Sequence, residues 1–202
     1  MDIFIVALNG SPNKGGNTAF LLQEALDECR KAGAETELIF CREVLNEQKN
    51  PFCVDCSSPC LSKCISGTNA EKNYQILARA DGIIAGSPVY FGTVSAQLKA
   101  FFDKTRFLRT GKKLLNVAGG AVTTGKSRFG GQETTIRAIH DMFLVQGMII
   151  VGDGYFEDDC GHFGSSAQSP SWEDLNAINR SRILARRIVQ VATATQSLRN
   201  RS

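Results

Sequence analysis

A doubly wound α/β sandwich on a five-stranded parallel sheet is the fold this sequence predicts, and three observations predict it. Short, wholly apolar runs recur along the chain, as strands buried on both faces require. Between them lie stretches with apolar residues at helical spacing, in strict alternation with the strands. The 202 residues, 43% hydrophobic and 21% charged, are enough for one domain with a sizeable core, spanning residues 1–202.

Each element follows in order. "IFIVAL" (3–8) is the first strand. Asn17 or Thr18 caps a helix running to about Lys31, with Leu21, Leu22, Ala25, Leu26 and Cys29 on one side, and Gly33 ends it. "TELIFC" (36–41) is strand two, and "YQILARA" (74–80) the next helix. "GIIAGS" (82–87) is strand three, followed by the helix "SAQLKAFFDK" (95–104). "KLLNVAGGAVTT" (113–124) holds strand four, "ETTIRAIHDMFLVQG" (133–147) its helix, and "MIIVG" (148–152) strand five. A C-terminal helix over 172–198 places Leu184, Ile188 and Val191 at helical spacing, and the arginines between them are assigned to a solvated or subunit-facing surface. Sheets of this kind bind ligands beyond the strand C-termini, where the strand order reverses.

Composition narrows the function. A net charge of +3 is too mild for a nucleic-acid or membrane-surface partner. No apolar run approaches the roughly 18–20 residues a membrane span needs. The N-terminus "MDIFIVALNG" lacks a basic leader region, so a cytoplasmic setting is expected, where disulfides are rare. Seven cysteines is an odd number, and a fully paired framework would leave one over.

One interval breaks the rhythm. From Cys41 to about residue 70 no periodicity is visible, although structureless loops beyond about 15 residues are uncommon in compact domains. Four of the seven cysteines, Cys53, Cys56, Cys60 and Cys64, stand in its middle. A disulfide knot, a metal site and redox thiols are the three readings; setting and count weigh against the first.

Three loops carry the binding chemistry. After strand one, "NGSPNKGGNT" (9–18) turns on Gly10, Gly15 and Gly16 and offers Ser11, Asn13, Asn17 and Thr18 at the start of a helix, a combination suited to phosphate. After strand three, "GSPVYFGTVSAQLKAFFD" (86–103) brings Pro88, Val89, Tyr90, Phe91 and Gly92 to the same edge, two of them aromatic. After strand four, "TTGKSRFGGQE" (123–133) adds Thr123, Thr124 and Gly125. Together they outline a phosphate end and a ring end for a mononucleotide. "GAVTTGKS" (120–127) also matches the nucleoside-triphosphate loop pattern, but Arg128-Phe129-Gly130-Gly131 follows where that motif needs a helix, so the match is read as coincidence.

These residues resemble the flavodoxin-like NADPH-dependent FMN reductase superfamily. "GSPNKGGNT" is similar to its phosphate loop, with Asn13 where the family often has arginine and Lys14 as a substitute cation; "GSPVYFGTVSAQLKAFFD" is similar to its second flavin loop, and "GGQET" to its third region. The resemblance implies a flavodoxin-like sheet and bound FMN. Ser11, Asn13, Asn17 and Thr18 would hold the phosphate, Pro88, Val89, Tyr90, Phe91 and Gly92 would line the isoalloxazine, and Thr123, Thr124 and Gly125 would border its other side. One branch, the iron–sulfur flavoproteins, carries a compact four-cysteine run in the loop after strand two. It implies that Cys53, Cys56, Cys60 and Cys64 ligate a [4Fe–4S] cluster near the flavin edge. The gaps here are two, three and three residues, against two, two and a longer gap in that branch. Zinc sites more often use two separated cysteine pairs, whereas one dense run suits a cubane. The expected function is an oxidoreductase that passes electrons through FMN and cluster. Its donor is ferredoxin or NAD(P)H, its acceptor a small molecule, and its assembly a homodimer or homotetramer. An NAD(P)H-dependent FMN or quinone reductase without a functional cluster, and a non-enzymatic flavin- or metal-binding regulatory module, are the alternatives.

Overall fold

The apolar runs become central strands because each has two faces to bury. In the computed structural model, which describes residues 3–199, β1 (Phe4–Asn9) points Val6 and Leu8 to one side and Ile5 and Ala7 to the other, all inaccessible to solvent. The chain continues through α1 (Asn17–Lys31), β2 (Glu35–Phe40), α2 (Cys41–Asn46), α3 (Asn69–Ala78), β3 (Gly82–Pro88), α4 (Ala96–Asp103) and α5 (Arg106–Thr110). Then come β4 (Ala118–Gly125), α6 (Gln132–Val145), β5 (Ile149–Ile150), β6 (Ser165–Gln168), α7 (Leu175–Ala194) and a 3-10 turn (Gln196–Leu198).

All strand pairs are parallel, and the order is β2-β1-β3-β4-β5, the flavodoxin-like arrangement. Helices α1 and α7 cover one face, while α3, α4 and α6 cover the other. Glycines make that double cover possible at the sheet centre. A Cβ on Gly119 would come within 2.7 Å of Phe143 from α6, and one on Gly120 within 2.6 Å of Ile188 from α7. Adjacent residues of one strand thus admit a helix from each side. Among the described residues no helix is long and apolar enough to cross a membrane.

Several boundaries differ from the sequence reading. The fifth strand is split. β5 has only two residues, the chain leaves the sheet over 151–164, and β6 returns to pair with the end of β4 from Val122↔Ser165 to Gly125↔Gln168. The "SSAQ" of β6 has no apolar pattern to announce it. The helix expected at 74–80 begins at Asn69, where Glu71 accepts the Gly67 N–H at 2.7 Å, and its polar first turns masked the period. The C-terminal helix starts at Leu175 rather than 172, because Asp174 caps it through the Ala177 N–H at 3.0 Å. Its arginines are spent within the chain. Arg182 binds Glu24 at 2.6 Å and Arg186 binds Glu28 at 3.0 Å, fastening α7 to α1. Arg180 and Arg186 also hold Asp159 and Asp158 of the 151–164 excursion.

The interval after β2 is an excursion rather than a uniform loop. It opens with α2, and Gln48 Nε2 donates to Thr68 Oγ1 at 3.1 Å, closing its base. Among the described residues, the Leu61 N–H, which donates to Ser57 Oγ at 3.3 Å, is the one backbone N–H along 49–64 with a protein acceptor.

Candidate functional site

The loop after β1 is folded by its own side chains. Asn9 Oδ1 accepts the Ser11 N–H at 2.9 Å and Ser11 Oγ accepts the Asn13 N–H at 3.1 Å, two side-chain-mimicked turns in succession. Helix α1 then opens behind Gly16, which supplies no side-chain cap. Among the described residues the N–H groups of Gly16, Asn17, Thr18 and Ala19 therefore meet no protein acceptor. Asn9 Nδ2 is a further buried donor without a partner. Free donors at the positive end of a 15-residue helix make an anion site.

The named side chains divide their work. Asn17 Nδ2 donates to Ser169 Oγ at 3.0 Å and its Oδ1 accepts the Ser171 N–H at 2.7 Å, pinning the loop to the turn after β6. Thr18 Oγ1 lies 3.2 Å from Thr124 Oγ1. Ser11 is nearly buried and Asn13 is exposed. Lys14 does not reach over the loop as a substitute cation. It pairs with Glu43 and lies 5.5 Å above the Phe40 ring.

The loop after β3 is the second of the three at this edge. Val89 N–H donates to Thr124 O at 2.9 Å, and Tyr90 and Thr93 exchange two backbone hydrogen bonds of 2.9 and 3.2 Å. Between those two, Phe91 and Gly92 both take positive φ, 51° and 78°. The turn projects Phe91 wholly into solvent and leaves Tyr90 exposed, so neither ring fills the core. Thr134 Oγ1 holds the turn through Gly92 O at 2.8 Å.

After β4, the third loop winds around one amide that sequence reasoning missed. Gln132 Nε2 donates to Ser127 O at 2.6 Å and its Oε1 accepts the Gly130 N–H at 2.8 Å. Gly125 leaves that amide its space, since a Cβ there would stand 2.5 Å from Gln132 Nε2. Thr123 and Thr124 are buried, and Thr123 Oγ1 donates to Gln132 O at 3.3 Å. Helix α6 starts at Gln132, well past Lys126 and Ser127, so those two do not open a helix as a triphosphate loop demands.

Ser95 joins the first two loops. Its Oγ donates to Gly10 O at 2.5 Å and accepts the Leu98 N–H at 3.2 Å, while its own N–H donates to Ser87 Oγ at 2.9 Å. A serine just before an apolar helical run is a cap signal, which was there to be read. Loops one and two leave the sheet at β1 and β3, the switch point of this strand order. A larger open cavity, about 1000 Å³, lies further along the edge, between the 128–134 loop and the 166–176 segment.

The cysteines form a second locus. Cys53, Cys56, Cys60 and Cys64 all line one cavity of about 310 Å³, walled by Ile65, Asp103, Lys104, Arg106 and Phe107 among others. All four are free thiols. Arg106 pairs with Asp55, and that pairing, with a smaller contribution from nearby Cys53, raises its pKa. Among the described residues no three His, Cys, Asp or Glu side chains converge as a single metal ion requires. Burial pushes the Cys29 thiol up to about 12 and that of Cys41 higher still, leaving both inert. Cys160 is exposed in the 151–164 excursion. The cavity is lined by no residue of 9–18, 86–92 or 123–133. It stands at the C-terminal end of α4, whereas Ser95 at the other end meets loop one, roughly 12 Å of helix away.

Comparison with known proteins agrees with this geometry. The description "NADPH-dependent FMN reductase" belongs to the family whose profile matches residues 3–162. An iron-sulfur flavoprotein of Methanocaldococcus jannaschii is 40% identical over 193 residues, covering 93% of this chain and 96% of that protein. An iron-sulfur flavoprotein of Methanosarcina thermophila is 36% identical over 200 residues, covering 98% and 99%. The solved apo structure of an NADH:FMN oxidoreductase superposes with a TM-score of 0.72 at 17% identity, over 98% of this chain and 94% of that one, a likeness of fold. With four-fifths of its length matched and a sheet edge shaped for a mononucleotide, the chain belongs to the NADPH-dependent FMN reductase family and is an FMN-dependent oxidoreductase.

Proposed function

We propose that the protein is an electron-transfer flavoprotein in which FMN occupies the three loops and Cys53, Cys56, Cys60 and Cys64 ligate a [4Fe–4S] cluster. The observation that carries the cluster is the shared cavity. Four thiols spread over twelve positions without regular structure line one space of about 310 Å³. Zinc would draw four ligands onto one point at about 2.3 Å, whereas thiols disposed around a cavity suit a larger group. Backbone N–H groups left without acceptors along 49–64 suit its sulfurs, and the ligation supplies the ordering force the segment otherwise lacks.

FMN exchanges one or two electrons when bound, and a cluster one, so the pair couples a one-electron donor such as ferredoxin to a small-molecule acceptor. The chain's own residues bind and orient. The N–H groups of Gly16 to Ala19 and the α1 dipole take the phosphate beside Ser11, Asn13, Asn17 and Thr18. Pro88, Val89, Tyr90, Phe91 and Gly92 line one side of the ring, and Thr123, Thr124 and Gly125 the other. Exposed Phe91 and Phe129 near that edge are the surface a second copy covers. In the resulting homodimer or homotetramer, the cluster of one subunit approaches the flavin of another, which the separation along α4 favours. The site of action is the cytoplasm. A second reading, an NAD(P)H-dependent reductase whose cysteines carry no cluster, has the family's own description in its favour.

Anaerobic reconstitution with iron and sulfide, followed by metal and flavin counts, tests the reading. About four irons and one FMN per chain are expected. Alanine at any one of the four cysteines should abolish or degrade the iron signal with FMN retained, while alanine at Cys29, Cys41 or Cys160 should change neither. A wild-type chain that takes up FMN but no iron leaves the second reading standing.

A further inference from the structure

We infer that Lys104 is a built-in counter-charge for the group held by the four cysteines, and that it sets how readily that group accepts an electron. The inference rests on the cluster reading above.

Lys104 follows the last residue of α4 and is only 5% exposed, yet its side chain finds no hydrogen bond or ion pair among the described residues. Nearby acids are engaged elsewhere. Asp103 binds Lys99 Nζ at 2.6 Å, and Asp55 binds Arg106. A charged residue so little exposed is ordinarily paired. The space Lys104 lines is the cysteine cavity. Four thiols there must be deprotonated to act as ligands, so negative charge gathers in the cavity whose wall Lys104 helps to form. A cluster held by four thiolates is net negative and gains one further unit on reduction. A fixed cation on the cavity wall therefore favours the reduced state over the oxidised one. No bond breaks and no proton moves; one electron enters, from a reductant or an electrode. Lys104 is assigned no part in binding FMN or substrate; it acts on the cluster through its charge and is a positioning residue.

The test is an anaerobic spectroelectrochemical titration of the reconstituted protein, comparing wild type with Lys104→Met, which keeps the stem and removes the charge, and Lys104→Arg, which keeps the charge. At a fixed applied potential the reduced-to-oxidised ratio should fall about tenfold in Lys104→Met, a midpoint about 59 mV more negative for a one-electron couple. Lys104→Arg should titrate close to wild type. A Lys104→Met protein that carries four irons and titrates as wild type overturns the inference. If Lys104→Met fails to load iron, loading of Lys104→Arg supports the requirement for charge, and failure of both overturns it in favour of packing. Wild type that loads no iron defeats the cluster reading itself, an outcome seen before any variant is compared.

Discussion

Replacing Ser95 by alanine removes one oxygen and two hydrogen bonds from a fully buried position. The Leu98 N–H loses its cap, a change that costs about 1 kcal/mol. The carbonyl of buried Gly10, which among the described residues accepts only the Ser95 hydroxyl at 2.5 Å, is left unpaired, and an unsatisfied buried acceptor costs about 1–3 kcal/mol. Together the loss is about 2–4 kcal/mol. The Ser95 N–H bond to Ser87 survives, so the backbone path is retained. Urea unfolding of the FMN-free protein, followed by far-ultraviolet circular dichroism, measures the stability, and quenching of flavin fluorescence measures FMN affinity. Both should fall, because the same hydroxyl ties the loop after β1 to the start of α4, at the edge proposed to hold FMN. Stability within about 0.5 kcal/mol of wild type, the range of an uninvolved surface change, would refute the reasoning.

Two more outcomes follow from buried charge. Arg199 Nε donates to Asp81 Oδ1 at 3.0 Å and its Nη2 to Ala192 O at 2.6 Å, with both charged residues nearly inaccessible. Arg199→Met takes the guanidinium from the nearly inaccessible Asp81 carboxylate, which keeps the Phe4 N–H at 2.9 Å, and should cost about 1–3 kcal/mol, a fall in Tm of roughly 5 °C by scanning calorimetry; a loss under about 0.5 kcal/mol would sink the idea. Burial holds the His140 imidazole below its usual pKa, against the pull of Asp141. The unfolded chain thus binds the proton first, and stability should drop as pH falls through the ordinary histidine value of about 6.5. His140→Phe should flatten the urea midpoint across that window, and an unchanged slope would clear His140 of the effect.

How far the sequence could be read depended on whether an element carries its own pattern. β1, β3 and α1 were legible because they bury whole apolar runs or one apolar stripe, and the three loops because their Gly, Ser, Asn and Thr residues follow directly on strands. β6 was not, since "SSAQ" is a strand only by virtue of the unpaired end of β4 beside it. The role of Gln132 was equally hidden, because nothing local marks a glutamine as the hub of a loop. Lys104 reads as an ordinary charged residue at a helix end; its low exposure and its place on a cavity wall shared with the cysteines are tertiary and leave no local mark. The arginines of α7 looked like surface for the same reason, their partners being Glu24, Glu28, Asp158 and Asp159, distant in sequence.

The hydrogen bond between Gln48 and Thr68 has a consequence for how such a chain can change. A segment that departs and returns at one point contributes nothing to the sheet register, and the entropy of closing it grows only slowly with its length, by about 0.6 kcal/mol per doubling. The 49–64 stretch is in that sense a replaceable cartridge, bounded by Ile65, which is buried in the core. A shorter or longer insert between Gln48 and Ile65 leaves the strand register untouched, so the cysteine segment can change in length and content independently of the sheet.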